Sequence, residues 1–483
     1  MVRRLLCSVV ATLALSACGP RDPLDRAAKT LGVDAAPVLR LTASGTSFAL
    51  GQNATPAAPW PRFAVKRYEA VIDFASDAMR VDMVRTQAEQ PPHGGGGQPL
   101  AGEQTSVQLV SGNVAWNVTG DTASPAPAAV AERRQQIWLT PQGFVRAARA
   151  AHAAVSPATR AGKSIGVVAF THDGAKVTGI IDDEGRVTEI ETQRGNAVLG
   201  DMPVRVTFEG YKAFGDVVYP THVQQIEGSH PVFDLDITSV HATPSADLAV
   251  PDAVKAARPV DVVVETEQLE RGVWYLKGGS HHSVLVEFGD HLVLVEAPLN
   301  EARSVAVMAE AKRLSAKPIT LVVNTHHHFD HAGGLRTYVA AGIPILTHEM
   351  NAAFYAKAWA FGRMLEPDAL SKSPVAPSVE TMTTRRDLSD GKRTLEVHLV
   401  SGNLHHEGLL MAYLPKERIL IEADAFNPPP PNTPPPSAPN PFTVNLVENV
   451  QRLGLRVNRI APIHGRVVLL EDALLAAGRT SAR

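Results

Sequence analysis

The stretch that decides the fold is Asn324-Thr325-His326-His327-His328-Phe329-Asp330-His331-Ala332-Gly333-Gly334. Four histidines and one aspartate fall within six positions, directly after the apolar run Ile319–Val323. That run is rich in Val and Ile, which favours a buried strand that ends where the histidines begin. Neutral imidazole and carboxylate groups are ligands that suit zinc and similar divalent ions. The stretch therefore predicts a metal site rather than a solvated polar loop.

The segments around this stretch alternate between short apolar strands and helices. Upstream, the sequence predicts a helix over Glu301–Leu314, with Asn300 as its N-cap. Downstream, it predicts a helix from Gly334 to Ala341 and a strand over Ile343–Thr347. Alternating strands and helices favour a layered α/β domain.

The pattern His326-X-His328-X-Asp330-His331 resembles the HxHxDH signature of the metallo-β-lactamase fold superfamily. The resemblance covers residues 262–483 and implies an αββα sandwich for this part of the chain. It also implies the remaining ligands downstream. The turn Ser401–Gly408 selects His405, with His406 as the alternative, while Asp424 and His464 each follow an apolar strand.

The resemblance implies two divalent metal ions, with zinc preferred and iron or manganese as alternatives. Two such ions that share a water molecule lower its pKa from about 15.7 toward 7, so hydroxide is present at neutral pH. Asp330 is also a catalytic candidate, because it can take or give a proton when only one site is filled. The resemblance implies that one ion is held by His326, His328 and His405. The other is held by Asp330, His331 and His464, and Asp424 bridges the two ions.

The bridging position bears on the substrate. The two cysteines of the chain are Cys7 and Cys18, so the body of the protein has no cysteine ligand of the kind that some β-lactamases use. An aspartate at position 424 resembles the ligand set of glyoxalase II-like thioesterases, lactonases and phosphodiesterases, which use Asp near this position. The resemblance thus implies hydrolysis of an ester-like bond in a lactone, a thioester or a related small-molecule ester. The alternatives are a phosphodiesterase, a β-lactamase-like hydrolase, or a non-catalytic envelope binding lipoprotein with structural metal.

Three further features bear on the predicted site. His281 and His282, in the segment Ser280–Ser283, and His406 are candidate substrate contacts, with packed histidines as the alternative. Glu296 stands where many relatives have an aspartate, and we expect it to orient the ligand loop through hydrogen bonds. The proline-rich segment Pro428–Pro441 is stiff and extended, and either rims the cleft or links it to the next helix.

The N-terminus has the features of an export signal. Arg3 and Arg4 precede the apolar run Leu5–Leu15, which is too short to span a bilayer. The sequence Leu15-Ser16-Ala17-Cys18 resembles a bacterial lipobox, with ordinary signal cleavage as the alternative. Residues 1–18 are therefore predicted to be a lipoprotein signal peptide. A lipid on Cys18 would anchor the protein at the periplasmic face of the envelope, with the outer membrane favoured.

The region between the signal and the metal domain, residues 22–257, is predicted to be a mostly antiparallel β domain with one or two helices. Val177–Ile181 and Val187–Thr192 flank Asp182-Asp183-Glu184-Gly185, which predicts a hairpin. Thr140 and Pro141 are typical of a helix start, and the predicted helix extends to Val155. Because no residue here has catalytic spacing, the sequence assigns this domain a scaffold role.

Length and charge limit the remaining possibilities. A chain of 483 residues favours two domains. The formal net charge is −3 and there is no basic run, which gives little support for nucleic-acid binding. The predicted partner is a small-molecule substrate, and the oligomeric state stays open.

Overall fold

A computed structural model describes residues 22–96, 99–258, 261–434 and 438–479. The predicted signal peptide and lipobox, residues 1–18, lie outside the described residues. Within the described ranges, no helix is both long enough and apolar enough to cross a membrane.

The N-terminal region is built on one large antiparallel sheet of 13 strands, in the order β6-β5-β4-β3-β2-β1-β15-β14-β11-β10-β9-β8-β7, with β12 and β13 as a separate pair. Its strands are β1 (Val38–Phe48), β2 (Arg62–Asp73), β3 (Ala78–Gln87), β4 (Gln104–Ser111), β5 (Val114–Thr119), β6 (Thr122–Pro125), β7 (Ala154–Arg160), β8 (Lys163–His172), β9 (Ala175–Ile181), β10 (Val187–Asn196), β11 (Gly200–Glu209), β12 (Lys212–Phe214), β13 (Val217–Tyr219), β14 (His222–Glu227) and β15 (His230–Thr243). Its helices are α1 (Pro23–Leu31), α2 (Val130–Trp138), α3 (Pro141–Ala150) and α4 (Asp252–Lys255).

The strands of this sheet alternate because only one of its faces is covered. Strand β11 buries every second residue, from Gly200 through Met202 to Phe208, as expected for a sheet with one buried face. Helices α1 and α3 cover that face with apolar side chains such as Leu31 and Phe144. The expected mostly antiparallel β domain is confirmed.

The helices of this region differ from the sequence prediction in number and length. Thr140 caps α3 as predicted, since its side chain accepts a hydrogen bond from the Gly143 N–H. The helix ends at Ala150, five residues earlier than predicted, and β7 follows. Helices α1, α2 and the short α4 were not predicted, so this region has more helices than the one or two expected.

The C-terminal region contains two sheets, in the orders β16-β17-β18-β19-β20-β21-β22 and β23-β24-β25-β26-β27-β28. The strands are β16 (Glu265–Glu270), β17 (Val273–Lys277), β18 (Ser283–Glu287), β19 (Leu292–Val295), β20 (Ile319–Val323), β21 (Ile345–His348), β22 (Val379–Met382), β23 (Arg385–Ser389), β24 (Thr394–Leu399), β25 (Leu410–Leu414), β26 (Ile419–Glu422), β27 (Arg459–Pro462) and β28 (Val468–Leu469). The helices are α5 (Glu301–Leu314), α6 (Phe329–Ala332), α7 (Leu335–Ala340), α8 (Ala352–Ala360), α9 (Ala369–Lys372), α10 (Pro441–Arg452) and α11 (Leu470–Ala476).

These elements form four layers, which explains why the central strands are apolar throughout. Between the sheets, side chains such as Val293 and Val295 pack against Ile419 and Ile421. On the outer face of the first sheet lie α5, α7 and α8, and on that of the second lie α10 and α11. Strands β19, β25 and β26 are buried along their whole length, because both faces are covered. The expected αββα sandwich is confirmed.

Strand direction brings the ligand-bearing loops to one edge of the sandwich. Strand β26 runs parallel to β27 and antiparallel to β25. The ends of β26 and β27 therefore lie beside the start of β25. Asp424 follows β26, His464 follows β27, and His405 precedes β25. In the other sheet, β20 ends at Val323, immediately before the histidine-rich stretch.

A loop of the N-terminal domain packs directly against these ligand loops. The N–H of Phe329 donates to the Gly51 carbonyl over 3.2 Å, and the N–H of Glu407 donates to the Ala54 carbonyl over 2.9 Å. Gly51 has a φ of +73°, and a Cβ at this position would lie 2.3 Å from the Phe329 ring. Only glycine therefore allows this approach, and the two domains share the edge that carries the predicted metal site.

Candidate metal centre

The predicted first-site ligands lie together in the buried part of the site. Ligand atoms of His326, His328, His405 and Asp424 all lie within 4.8 Å of one another. The three histidines have no solvent exposure. The Nε2 atoms of His326 and His405 lie 3.2 Å apart, and they lie 3.3 and 3.2 Å from Asp424 Oδ2.

These separations fit a tetrahedral metal ion. Zinc binds imidazole nitrogen and carboxylate oxygen at about 2.0–2.2 Å, so two of its ligand atoms in tetrahedral geometry lie about 3.3–3.5 Å apart. The observed distances of 3.2, 3.2 and 3.3 Å are close to that value. His328 adds a buried Nδ1 that has no hydrogen-bond partner among the described residues. We therefore define His326, His328 and His405 as the first half of the metal centre.

The second half contains Asp330, His331 and His464. Their ligand atoms lie within 4.8 Å of one another, in a group that also includes His281. The Nε2 atoms of His331 and His464 are 3.2 Å apart, and His331 Nε2 lies 3.6 Å from Asp330 Oδ2. The side chains of Asp330 and His464 are 32% and 19% exposed, so this half opens to solvent while the first half does not.

Asp424 connects the two halves. Its Oδ2 lies 2.8 Å from His331 Nε2 and between 3.2 and 3.3 Å from the two first-half Nε2 atoms. Its Oδ1 lies 3.1 Å from His464 Nε2. The residue has a φ of +61°, an unfavourable backbone conformation for aspartate that is typical of functional positions. Glu422 supports this turn, since its Oε2 accepts hydrogen bonds from the N–H groups of Ala425 and Phe426.

Each of four ligand histidines has a partner for the ring nitrogen that points away from the centre. Such partners fix the tautomer and the ring orientation of a ligand. His405 differs, because its Nδ1 is buried without a partner in the described ranges. The four pairs are His326 Nδ1 with Thr325 Oγ1 at 2.9 Å, His328 Nε2 with the Asn53 carbonyl at 2.9 Å, His331 Nδ1 with Glu296 Oε2 at 2.9 Å, and His464 Nδ1 with the Ser280 carbonyl at 3.0 Å.

Glu296 orients the ligand loop through hydrogen bonds, as expected from the sequence. The side chain is fully buried. Besides His331, it accepts hydrogen bonds from Thr325 Oγ1 at 2.5 Å and from the Thr325 N–H at 3.2 Å. Asn324 Nδ2 donates to the same carboxylate over 3.1 Å. One carboxylate thus fixes both the start of the loop and a ligand of the second half.

The electrostatics of the centre favour a cation. Burial lowers the pKa of His326 to about 4 and holds the pKa of His328 well below its usual range, so both rings are neutral at pH 7. Burial alone would also lower the pKa of His331, but the carboxylates of Asp424 and Asp330 raise it well above its usual value. The two carboxylates therefore attract positive charge at a point where several neutral imidazole nitrogens converge. This donor set fits divalent metal ions.

The three candidate substrate contacts have different surroundings. His281 Nε2 lies 3.2 Å from Asp330 Oδ2, and its ring centroid is 4.1 Å from that of His464, so it borders the second half. His282 is buried and uses both ring nitrogens, with the Gly278 N–H and the Gly465 carbonyl. His406 is fully buried and uses its ring nitrogens with His327 Nδ1 and the Gly408 N–H. These contacts favour the alternative of packed histidines for His282 and His406, since each uses both of its ring nitrogens within the described structure, and their substrate role stays a prediction.

The proline-rich segment lies partly beside the centre. A Cβ placed on Gly465 would lie 3.3 Å from Pro428 Cδ, so Pro428 packs next to the His464 loop. Near the end of the segment, the Asn440 side chain caps α10 by accepting from the Phe442 N–H. Residues 435–437 lie outside the described residues. The contact of Pro428 favours the rim over the simple linker for the start of the segment.

Two residues of the N-terminal domain that the sequence did not predict also contact the centre. Gln52 Nε2 donates to Asp330 Oδ1 over 2.7 Å. The Asn53 side chain accepts from His327 Nε2 at 2.8 Å, while its carbonyl accepts from His328. Both residues lie in a short polar stretch about 270 positions before the ligands, and no local pattern points to this contact.

An apolar cavity of about 510 Å³ lies between the two domains, next to the ligand loop. The Trp60 ring is 5.7 Å from that of Phe329, and the Phe354 ring is 5.0 Å from that of His327. The cavity is thus in contact with the loop that carries four of the predicted ligands. Its apolar lining includes Trp60, Leu199, Pro203, Met350, Phe354 and Phe361.

Comparison with known proteins identifies the class of the C-terminal region. Residues 276–464 match a family model described as the metallo-beta-lactamase superfamily. No curated protein matches the chain. The C-terminal region is therefore a metallo-β-lactamase superfamily domain, and the expected resemblance is confirmed. Members of this superfamily are generally metal-dependent hydrolases.

Similar solved structures include three metallo-β-lactamases. One from Pontibacter korlensis is 19% identical over 46% of this chain and 100% of that chain, with a TM-score of 0.36. FIM-1 from Pseudomonas aeruginosa, in its mono-zinc form, is 19% identical over 46% of this chain and 96% of that chain, with a TM-score of 0.35. One from Hirschia baltica is 20% identical over 45% of this chain and 97% of that chain, with a TM-score of 0.35.

Proposed function

We propose that the protein is a hydrolase that binds two divalent metal ions, with zinc preferred, and cleaves an ester-like bond. The observation that carries this proposal is the position of the Asp424 carboxylate between the two groups of histidines. Its two oxygens lie between 2.8 and 3.3 Å from four imidazole nitrogens that belong to both halves. A purely structural zinc site is usually closed by four ligands, whereas this arrangement has a buried half and an open half.

The two halves of the centre have different roles in the proposed reaction. Ions bound in the two halves would supply hydroxide at neutral pH and polarise the carbonyl oxygen of the substrate. The buried first half excludes water and holds its ligands rigidly. Asp330, with a partly exposed side chain, is placed to take up or deliver a proton at the open half. His281 lies beside it and is the candidate to contact the leaving group or the substrate.

The surroundings of the centre favour a neutral ester-like bond over a phosphodiester. A phosphodiesterase usually places lysine or arginine near the transferred group. In the part of the chain that the structure describes, the hydrogen-bond partners of the ligands are histidine, glutamate, threonine, glutamine and backbone carbonyls. We therefore propose lactones, thioesters or related small-molecule esters as substrates, with phosphodiesters and β-lactams as the alternatives.

The interdomain cavity suggests that the substrate carries an apolar group. Each methylene buried in such a cavity contributes about 0.8 kcal/mol, or roughly fourfold in kcat/KM. For a series of thioesters or lactones with lengthening acyl chains, we expect kcat/KM to rise until the cavity is filled. Trp60→Ala and Phe354→Ala should flatten the series without changing metal content. A flat series in the parent protein would contradict an apolar substrate.

The proposed site in the cell is the periplasmic face of the envelope, with the outer membrane favoured and Cys18 as the lipid anchor. The support is the apolar run followed by Leu15-Ser16-Ala17-Cys18. In an envelope fractionation, we expect the parent protein with the membranes and Cys18→Ala in the soluble periplasmic fraction. The same distribution for both proteins would contradict the lipid anchor.

The test of the proposed function combines metal analysis with turnover. The purified protein should contain about two divalent ions per chain and hydrolyse at least one member of an ester, lactone and thioester panel. His328→Ala and Asp424→Ala should abolish this activity. A protein that binds both ions but turns over no compound, phosphodiesters and β-lactams included, would favour the binding-lipoprotein alternative. A single iron would point to oxygen chemistry instead.

A further inference from the structure

We propose that the loop between β1 and β2, residues 49–61 of the N-terminal domain, is part of the metal centre, and that Gln52 is a positioning residue for Asp330. The proposal rests on the metal binding proposed above, but it does not depend on the identity of the substrate. The family match begins at residue 276, so this loop lies outside the region that resembles known metallo-β-lactamases.

The loop is attached to two ligand-bearing segments at once. Phe329 and Glu407 donate backbone hydrogen bonds to its carbonyls, as described above. In addition, the Gly94 N–H, from the segment between β3 and β4, donates to the Leu404 carbonyl over 2.8 Å. Gly95 in turn donates to the Gln52 carbonyl over 2.8 Å. Backbone hydrogen bonds from the N-terminal domain therefore hold both the His405 turn and the histidine-rich stretch in place.

Gln52 binds one oxygen of Asp330 and leaves the other facing the histidines of the second half. Its Nε2 donates to Oδ1 over 2.7 Å, while Oδ2 faces the Nε2 atoms of His331 and His281 at 3.6 and 3.2 Å. A hydrogen bond to one carboxylate oxygen fixes the rotation of the group, so the other oxygen stays aimed at the centre. The amide is neutral, and it therefore orients Asp330 without competing for a cation.

Among the described residues, the side chain of Gln52 has no second hydrogen-bond partner that would explain its position. Its Oε1 is buried and has no partner within the described ranges. Asp330 is therefore the group that its side chain serves. A buried amide oxygen without a partner is unfavourable for stability, and in a native structure such a group calls for an explanation, of which a functional role is one.

Asn53 gives the loop a second role, in the first half of the centre. Its carbonyl accepts from His328 Nε2 over 2.9 Å, which leaves Nδ1 of that ring as the free ligand atom. Because the acceptor is a backbone atom, no side-chain substitution at Asn53 removes it. Substitutions at Gln52 should therefore disturb the second half while the first half keeps its tautomer.

The experiment compares Gln52→Ala and Gln52→Glu with the parent protein and with Gln224→Ala. Gln224 is the matched control, since its Nε2 donates to Asp234 Oδ2 over 3.0 Å in the N-terminal sheet, away from the centre. Zinc titration should show one of the two ions bound about 10–100-fold more weakly in Gln52→Ala, and more weakly still in Gln52→Glu, where two carboxylates face each other. The other ion should bind as in the parent.

Two readouts separate positioning from general damage. The visible spectrum of the cobalt-substituted protein should change for Gln52→Ala and stay the same for Gln224→Ala, while both variants keep the circular dichroism of the parent. Affinities for both ions within twofold of the parent, in a folded Gln52→Ala protein, would overturn the proposal. So would a parent protein that binds no second ion. If the parent binds two ions and hydrolyses nothing, the proposed function fails while this inference is still decided by the metal titration.

Discussion

The two halves of the metal centre differ in how they are enclosed. His326, His328 and His405 have no exposed surface and lie at strand ends inside the C-terminal sandwich. In the second half, Asp330 and His464 are partly exposed, and His281 and Gln52 border them. On the proposed function, we expect the first half to hold its ion more firmly and the second half to meet the substrate.

The difference follows from the fold. The first half is formed where β20, β25 and β26 meet, and both faces of these strands are covered by other layers. The second half lies at the rim, where a turn of the N-terminal domain and the hairpin between β17 and β18 complete the wall. In many proteins, loops at the rim carry the residues that contact the substrate, while strands and helices form a rigid scaffold.

The largest expected effect comes from removing the bridge. Asp424→Ala eliminates the carboxylate that both halves share, and with it several kcal/mol of charge stabilisation. We expect kcat/KM to fall by about 10³-fold or more, and metal content to drop. Asp424→Asn is the control for shape, because it keeps the side-chain volume and removes the charge. Activity within tenfold of the parent in both variants would contradict the bridging role of Asp424, because the two halves would then not depend on a shared carboxylate.

A matched pair of ligand substitutions tests which half holds its ion more firmly. His328→Ala opens the buried half, whereas His464→Ala opens the exposed half. We expect His464→Ala to retain one ion per chain and His328→Ala to bind its first-half ion at least about 100-fold more weakly. Metal titration followed by elemental analysis measures both. Equal loss of both ions in the two variants would show that the halves do not differ.

Glu296 offers a way to weaken the second half from behind. Glu296→Gln keeps the size of the side chain but removes the charge that orients His331 Nδ1. We expect about 10–100-fold weaker binding of one ion, with the other ion unchanged. Because the carboxylate is buried and also holds Thr325, the variant should also be less stable by about 1–3 kcal/mol. Denaturant unfolding and metal titration report the two effects separately.

Chelation kinetics compare the halves in the unaltered protein. Because ligands in the second half are exposed, we expect a chelator to remove one ion at least several-fold faster than the other, giving two phases of equal amplitude. The first phase should abolish most of the activity, and re-addition of zinc should restore it. A single phase that releases both ions would contradict the difference in enclosure.

The smallest expected effect is that of His281. His281→Ala leaves all seven predicted ligands in place, and we expect kcat/KM to fall by less than about 100-fold with unchanged metal content. His282→Ala is the matched control for a neighbouring histidine that packs on Tyr275. It should lower stability rather than kcat/KM. Loss of an ion in His281→Ala would instead make this residue a further ligand.

The sequence pointed to residues that the structure brings together, because four of them are close neighbours in the chain. His326, His328, Asp330 and His331 fall within one turn and loop, and the resemblance supplied the distant members of the set. Gln52 and Asn53 could not be predicted in this way. Their role arises from tertiary packing across two domains, and a Gln-Asn pair in a loop carries no periodic signal.

The fold was predictable where burial decides the pattern. The apolar run Ile319–Val323 indicated a buried strand, and Asn300 marked the start of α5 correctly. Predictions failed where the side chains are mixed. Helix α2 is polar over most of its length and was missed. The boundary between residues 257 and 262 stays a prediction.

The most direct test of this account is the anomalous scattering of zinc in crystals of the purified protein. We predict two peaks per chain, one among His326, His328 and His405 and one beside His331 and His464, with the Asp424 carboxylate between them. A well-ordered structure with no peak at these residues, or with a single peak at full occupancy in zinc-saturated crystals, would contradict the two-ion centre.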